Sequence, residues 1–332
     1  MPNTINHELS TSLGSGPKGL APSRTSVADL ALPATPIVPV NLGRGAIWCK
    51  LEYLNPSGSV NDRIAVHMLL EAIRLGHVEN KLVVEASSGS TAVAMAMVCA
   101  RLGLKFVAFM PDGVSRERLV AIKAYGGEFR KTDPSEGMRG SLLAAQAFAR
   151  EHGAFETKQF ENPQNADAHR LRTATELIGQ CPGRHLDAFV SGVGTGGTLM
   201  GVGTGLREFG LDAKLYAAKP IARNCSDEMN VGSVEQCSFS ARIPGVLDGF
   251  STLYQPDAIE GGIEEIEVDD TVALQRTHDL LAAGFPVGPS SGLNFAAAEQ
   301  VVEKLGPDAR VTTVLCDRVE RYFSTDLFAE HA

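Results

Sequence analysis

The chain has 332 residues, 44% hydrophobic and 21% charged, which is enough for two compact lobes with apolar cores and excludes a disordered chain. A formal net charge of -9 with no long lysine or arginine block argues against general affinity for nucleic acid or anionic membranes and favours a small-molecule role. No apolar run nears the roughly 20 residues that span a bilayer, and the first residues lack the basic and apolar segments of a signal peptide, so the expected location is the cytoplasm.

Residues 1–30 are rich in Ser, Thr, Gly, Pro and Asn without sustained periodicity and read as a flexible arm, one able to pack on a partner subunit. From about residue 33, short β-rich runs alternate with helical runs. The pattern predicts strands over Ile47–Leu51, Leu82–Glu85, Phe106–Phe109, Ala188–Ser191, Leu215–Ala218 and Val311–Cys316. Between them it predicts helices over Ile64–Leu75, Thr91–Leu102, Met138–Glu151 and Leu199–Phe209, with a further helix start at Ser115 after the turn Met110-Pro111-Asp112-Gly113. This is an α/β chain of two doubly wound parallel-sheet lobes, with ligands expected in the cleft at the strand carboxyl ends. The six cysteines (Cys49, Cys99, Cys181, Cys225, Cys237, Cys316) form no C-x-x-C pair and no Cys/His cluster. They read as ordinary reduced thiols, and no metal site is expected.

Ser191-Gly192-Val193-Gly194-Thr195-Gly196-Gly197-Thr198 follows a strand and opens a helix, so its backbone N–H groups can converge on an anion at the positive helix end. Gly192, Gly194 and Gly197 also satisfy G-x-G-x-x-G, the pattern of a dinucleotide site. That reading expects an acidic residue at the end of the next strand, which here ends in Ala218-Lys219-Pro220. A lysine can meet a ribose phosphate, so an NADP-dependent oxidoreductase stays open as a lesser alternative.

Several motifs occur together and in order: Thr35-Pro36, the run Lys50 to Arg63 containing Asn55-Pro56-Ser57-Gly58-Ser59-Val60-Asn61-Asp62-Arg63, and Glu85-Ala86-Ser87-Ser88-Gly89-Ser90-Thr91. Met110-Pro111-Asp112, Ala124-Tyr125-Gly126, Gln159-Phe160-Glu161-Asn162-Pro163, Gly194 to Thr198, Gly288-Pro289-Ser290-Ser291-Gly292, Cys316-Asp317-Arg318 and Arg321-Tyr322 follow. Over residues 33 to 328 the chain resembles the fold-type II pyridoxal-phosphate (PLP) enzymes, tryptophan synthase β-like in fold. Within them it resembles the cysteine synthase and cystathionine β-synthase family, nearest the B-type cysteine synthases.

The resemblance implies β-replacement or β-elimination on serine, cysteine or O-activated serine through an aminoacrylate, with a small nucleophile, in a homodimer. It implies a smaller movable lobe over 55–170 that holds the substrate carboxylate, and a larger PLP-binding lobe from 31–54 plus 171–332. By the same resemblance, the PLP phosphate sits on Gly194, Thr195, Gly196, Gly197 and Thr198. Ser290 meets the pyridine nitrogen, although a plain helix N-cap is the competing role for that serine. Ser87, Ser88, Gly89, Thr91 and Gln159 take the substrate carboxylate. Ser90 stands where the family has an asparagine that touches the phenolic oxygen of the cofactor, and a shorter hydroxyl alters that contact.

One position departs more sharply. The family's chemistry uses a lysine amine as covalent anchor and then as base, and the matching residue is Asn61. An amide nitrogen lone pair is delocalised, so Asn61 can serve neither purpose near neutral pH. An engineered substitution, a naturally degenerate homologue that binds PLP or an amino acid as a silent regulator, and a changed mechanism with another base all remain open. Lys50, Lys123 and Lys219 are the lysines available to such a mechanism, each with the competing reading of a solvated side chain. Lys219 and Asp248 are two further departures, which either alter the leaving group or nucleophile accepted or simply point their charges to solvent.

Overall fold

The computed structural model describes residue 30 and residues 32–221, 243–246, 251–325 and 327–328. All of the proposed arm except Leu30, together with Cys225, Cys237 and Asp248, lies outside the described residues.

The larger sheet takes β1 (Ile37–Val40), β2 (Ile47–Leu51), β7 (Ala188–Gly192), β8 (Lys214–Ile221), β9 (Glu264–Asp269) and β10 (Val311–Leu315), in the order β1-β2-β10-β7-β8-β9. Only β1 runs antiparallel to its neighbour. The smaller sheet is wholly parallel: β3 (Leu82–Ala86), β4 (Lys105–Pro111), β5 (Glu128–Thr132) and β6 (Phe155–Glu156), in the order β5-β4-β3-β6. Parallel neighbours require crossovers, which α1 (Asn61–Arg74), α2 (Ser90–Leu102), α3 (Arg116–Ala124), α4 (Gly137–His152), α5 (Gln164–Ala168), α6 (Thr175–Gln180), α7 (Gly197–Glu208), α8 (Asp270–Ala282) and α9 (Pro289–Leu305) supply.

Side-chain alternation divides each sheet between two cores. In the larger sheet Ala188, Val190, Tyr216, Ala218, Val311 and Leu315 face one cluster, while Phe189, Leu215, Ala217 and Val314 face the other. In the smaller sheet Val83, Phe106, Ala108 and Met110 pack one way and Val84, Val107 and Phe109 the other. Burial on both faces explains why these strands are continuous apolar runs and therefore readable in sequence. The unforeseen strands are a proline-bearing β1, a charged β5, a two-residue β6 and an acidic β9. All four lie at sheet edges, where short strands, polar side chains and proline are tolerated.

A buried ionic cluster fixes where α1 begins. Arg63, in its first turn, donates Nε to Glu52 at 2.6 Å and Nη2 to Glu176 at 2.7 Å. Lys50 Nζ reaches Glu176 at 2.8 Å and the Thr35 carbonyl at 2.6 Å. Lys50 is therefore wholly buried, which corrects its reading as a solvated side chain. Two cations face two carboxylates, and that balance is what makes burial of four charges tolerable. The adjacent Asp62 accepts from the Ser57 backbone N–H at 2.6 Å and from the Ser57 hydroxyl, and burial raises its carboxyl to about 6. No helix among the described residues is long and apolar enough to cross a membrane.

Candidate active site

The carboxyl ends of β3, β7 and β10 open on a single cavity. Asn61, Ser87, Ser88, Ser90, Thr91, Gln159, Gly194, Thr195, Gly196, Thr198 and Ser290, widely separated in sequence, all line it. Gly89 and Gly197 are set back from the wall. A Cβ on Gly89 would lie 2.2 Å from Arg118 Cδ, and one on Gly197 would lie 1.9 Å from Asn165 Oδ1.

The loop after β7 turns through Gly196, at a φ of +83°, before α7 begins at Gly197. A Cβ at Gly196 would also meet the Tyr254 backbone at 3.0 Å, so glycine is needed for both conformation and space. The loop amides at the start of a twelve-residue helix, with the Thr195 and Thr198 hydroxyls, form a cradle of hydrogen-bond donors that fits a phosphate group.

The loop after β3 behaves likewise. Ser87 Oγ accepts from Gly89 N at 3.0 Å and Ala92 N at 3.3 Å, which holds the loop against the start of α2. Thr91 Oγ1 donates to Gln159 Oε1 at 2.8 Å, and Gln159 Nε2 donates to the Ala86 carbonyl at 2.7 Å. Gln159 is therefore buried rather than superficial, and one face of the loop is braced from within the protein.

Behind this loop Glu85 is buried, takes the Thr157 hydroxyl and accepts from Gln159 N at 3.2 Å. Burial still pushes its carboxyl from 4.5 up to about 8. The native state thus keeps a proton that the unfolded chain releases near 4.5, so stability falls as pH rises until about 8. His169, which titrates near 6.5 when unfolded and near 3 when native, contributes a slope of opposite sign that fades above about pH 7, where the Asp62 transition near 6 is also largely over. Urea unfolding between pH 7 and 8 should show wild type losing up to about 1.4 kcal/mol per pH unit relative to Glu85→Gln. The same slope in the variant would dissociate it from Glu85.

Asn61 is the first residue of α1 and reaches the cavity wall. Its neighbourhood is fixed by Val60 N donating to the Cys316 carbonyl at 2.8 Å and by a bridge between Ser59 and Asp317. Ser90 Oγ donates to Asp317 Oδ2 at 3.1 Å, and Tyr322 Oη donates to the same oxygen at 2.8 Å. Ser290 lies in the first turn of α9, which Gly288 caps, so the N-cap role falls to another residue. Its hydroxyl hydrogen-bonds the Cys316 thiol, which burial raises to about 12.

No lysine lines the cavity among the described residues. Lys50 is held in the ionic cluster, Lys123 sits over the Phe129 ring at 5.0 Å, and Lys219 pairs with Glu265 at 3.3 Å. Among the described residues the wall carries one cation, Arg118, and one anion, Asp317. Sequence reasoning assigned no role to either, nor to Asn165 and His169 behind the phosphate loop. Asp317 and Tyr322 stand in quoted motifs and lacked only their geometry. Arg118 stands within α3, where nothing local signals that it faces a ligand.

The family model of pyridoxal-phosphate-dependent enzymes matches residues 29–317. A cysteine synthase from Staphylococcus aureus is 39% identical over 285 residues, covering 85% of this chain and 89% of that protein. The crystal structure of an O-ureido-L-serine synthase superposes with a TM-score of 0.81 at 32% identity, covering 94% of this chain and 97% of the other. A variant of that synthase with a lysine changed to alanine, crystallised with O-ureido-L-serine bound, gives a TM-score of 0.78 at 32% identity over 94% and 95% of the two chains. Two parallel-sheet lobes, a donor-lined phosphate cradle and these matches agree: the chain belongs to the fold-type II PLP-dependent enzymes, in the cysteine synthase and cystathionine β-synthase-like family.

Proposed function

We propose that this chain binds PLP and a serine- or cysteine-type amino acid across the cleft without holding the cofactor covalently, because Asn61 occupies the place of the anchoring lysine. The family's chemistry is PLP-dependent β-replacement and β-elimination on such amino acids. PLP, when bound, supplies the electron sink that weakens the Cα–H bond and the bond to the β-substituent.

The chain's own residues divide the remaining work. Gly194 to Thr198 hold the phosphate, and Ser290 faces the ring nitrogen as a neutral partner. Ser87, Ser88, Gly89, Thr91 and Gln159 orient the amino-acid carboxylate, with Arg118 as the cation of the wall among the described residues. The span 55–170 carries the carboxylate loop and closes on the remainder, and two chains associate as a homodimer. Asn61 can neither bond covalently to the cofactor nor accept the Cα proton, so turnover by the usual route is impaired.

The observation that carries this reading is a cavity wall free of lysine among the described residues, with Lys50, Lys123 and Lys219 engaged elsewhere. The O-ureido-L-serine synthase variant that has lost a lysine yet holds its amino acid is consistent with a pocket that outlives the anchor. The test is borohydride treatment of the PLP-saturated chain followed by denaturation and intact-mass measurement. No cofactor mass should remain on the protein, and one retained equivalent would overturn the assignment of position 61.

A second reading, a catalytically silent regulator that responds to PLP or an amino acid, is favoured by Ser90. Its hydroxyl is committed to Asp317, so a second reactive-end contact is altered alongside Asn61. The NADP-dependent alternative has less behind it, since Lys219, on which it relied, is paired with Glu265.

A further inference from the structure

Behind the phosphate loop stand two buried polar side chains one helical turn apart. They are Asn165 in α5 and His169 at the start of the π-helical turn His169–Ala174, each 1% exposed. Asn165 Nδ2 lies 2.8 Å from the Gln159 carbonyl oxygen and 3.0 Å from Thr195 Oγ1. A carbonyl only accepts, so the atom facing it is the amide nitrogen, whose second hydrogen goes to Thr195. Thr195 Oγ1 accepts again from Gly197 N at 3.3 Å. Both of its lone pairs are then engaged, and its own hydrogen is left to donate on the cavity side.

The same logic applies at the other threonine. His169 Nδ1 is 2.9 Å from Thr173 Oγ1, and Nε2 is 3.2 Å from Thr198 Oγ1. Burial lowers the imidazole pKa to about 3, so the ring is neutral and only one nitrogen carries hydrogen. Thr173 is fully buried, and among the described residues its hydroxyl has no other hydrogen-bond partner. A protonated Nδ1 would orphan the Thr173 hydrogen, whereas an accepting Nδ1 satisfies it. Nε2–H therefore donates to Thr198, and the Thr198 hydrogen also turns to the cavity.

We propose that Asn165 and His169 are positioning residues that set Thr195 and Thr198 as outward donors, making the loop a receptor for a phosphate monoester, whose ionised oxygens only accept. This rests on residues 194–198 being the PLP phosphate site. Among the described residues the wall's cation, Arg118, lies against Gly89 in the other loop, so the described part of this loop offers its amides and the directed hydroxyl hydrogens rather than a countercharge.

Titration of the full chain with PLP and with pyridoxal, which lacks the phosphate, tests the proposal. Wild type should strongly prefer PLP. His169→Phe should weaken PLP binding about tenfold to a hundredfold, the range for a hydrogen bond to a charged group, and leave pyridoxal binding unchanged. His169→Gln, which retains an N–H, should recover most of the loss. In a Thr198→Ala background, His169→Phe should have no further effect on PLP. Asn165→Asp, which replaces the donor by an acceptor at the same size, should lower the preference through Thr195, and it decides the matter if His169→Phe does not fold. Equal wild-type affinity for PLP and pyridoxal would remove the phosphate site itself. A preserved preference in His169→Phe, or a loss undiminished without the Thr198 hydroxyl, would refute the positioning role while leaving the phosphate site standing.

Discussion

Asn61→Lys is expected to retain PLP through gel filtration and to gain an absorption band at the edge of the visible, whereas the parent chain releases its cofactor on the same column. Position 61 begins α1 on the cavity wall, and the peptide before it is fixed to Cys316, so a longer side chain there extends into the cleft. The surrounding residues already line the cavity with the two loops proposed to hold the phosphate and the amino-acid carboxylate. Addition of an amine therefore restores both the anchor and a proton acceptor. A positioned general base contributes about a hundredfold to ten-thousandfold, so elimination or sulfide-dependent turnover of an O-activated serine should rise by at least about a hundredfold. Absence of the band would mean that residue 61 is not the anchoring position. The band without turnover of any serine- or cysteine-type amino acid would favour the regulatory reading.

Arg63→Met should be the most destabilising of the substitutions considered, by about 3–5 kcal/mol in equilibrium urea unfolding. It leaves Glu52, with no exposed side-chain surface, and the largely buried Glu176 facing Lys50 alone. Burial disfavours the charge on Lys50 while Glu176 beside it opposes that effect, so one cation cannot neutralise both carboxylates. The exposed pair Arg44–Glu303 provides the contrast: Arg44→Ala should change stability by less than about 1 kcal/mol. Equal effects of the two substitutions would show that the cluster does not brace α1.

The two-lobed architecture was legible in the sequence because its central strands are buried on both faces and read as apolar runs, as in Val311–Leu315. Edge strands such as Glu128–Thr132 and Glu264–Asp269 present charged side chains to water and carry no such signal. Most of the expected binding residues were legible because their motifs pair a strand end with a helix start, a junction with freed N–H groups. The direction of each hydroxyl was not. Ser90 stands at an expected cofactor contact, but its hydrogen bond to Asp317, distant in sequence, is visible only in the fold. Lys50 looks solvated until Glu176 and Thr35 surround it. Such roles depend on partners that only the folded chain brings together.

A wall without lysine among the described residues also changes, on the reading proposed for Asn61, what occupancy means. An anchored cofactor remains through many turnovers, whereas PLP held only by hydrogen bonds and packing comes and goes by mass action. Occupancy, and with it resistance to unfolding, then follows the free PLP concentration, gaining about 2.7 kcal/mol when that concentration exceeds the dissociation constant a hundredfold. Under the assignment proposed for Asn61, a fold whose relatives turn over amino acids becomes one whose state reports how much cofactor is available.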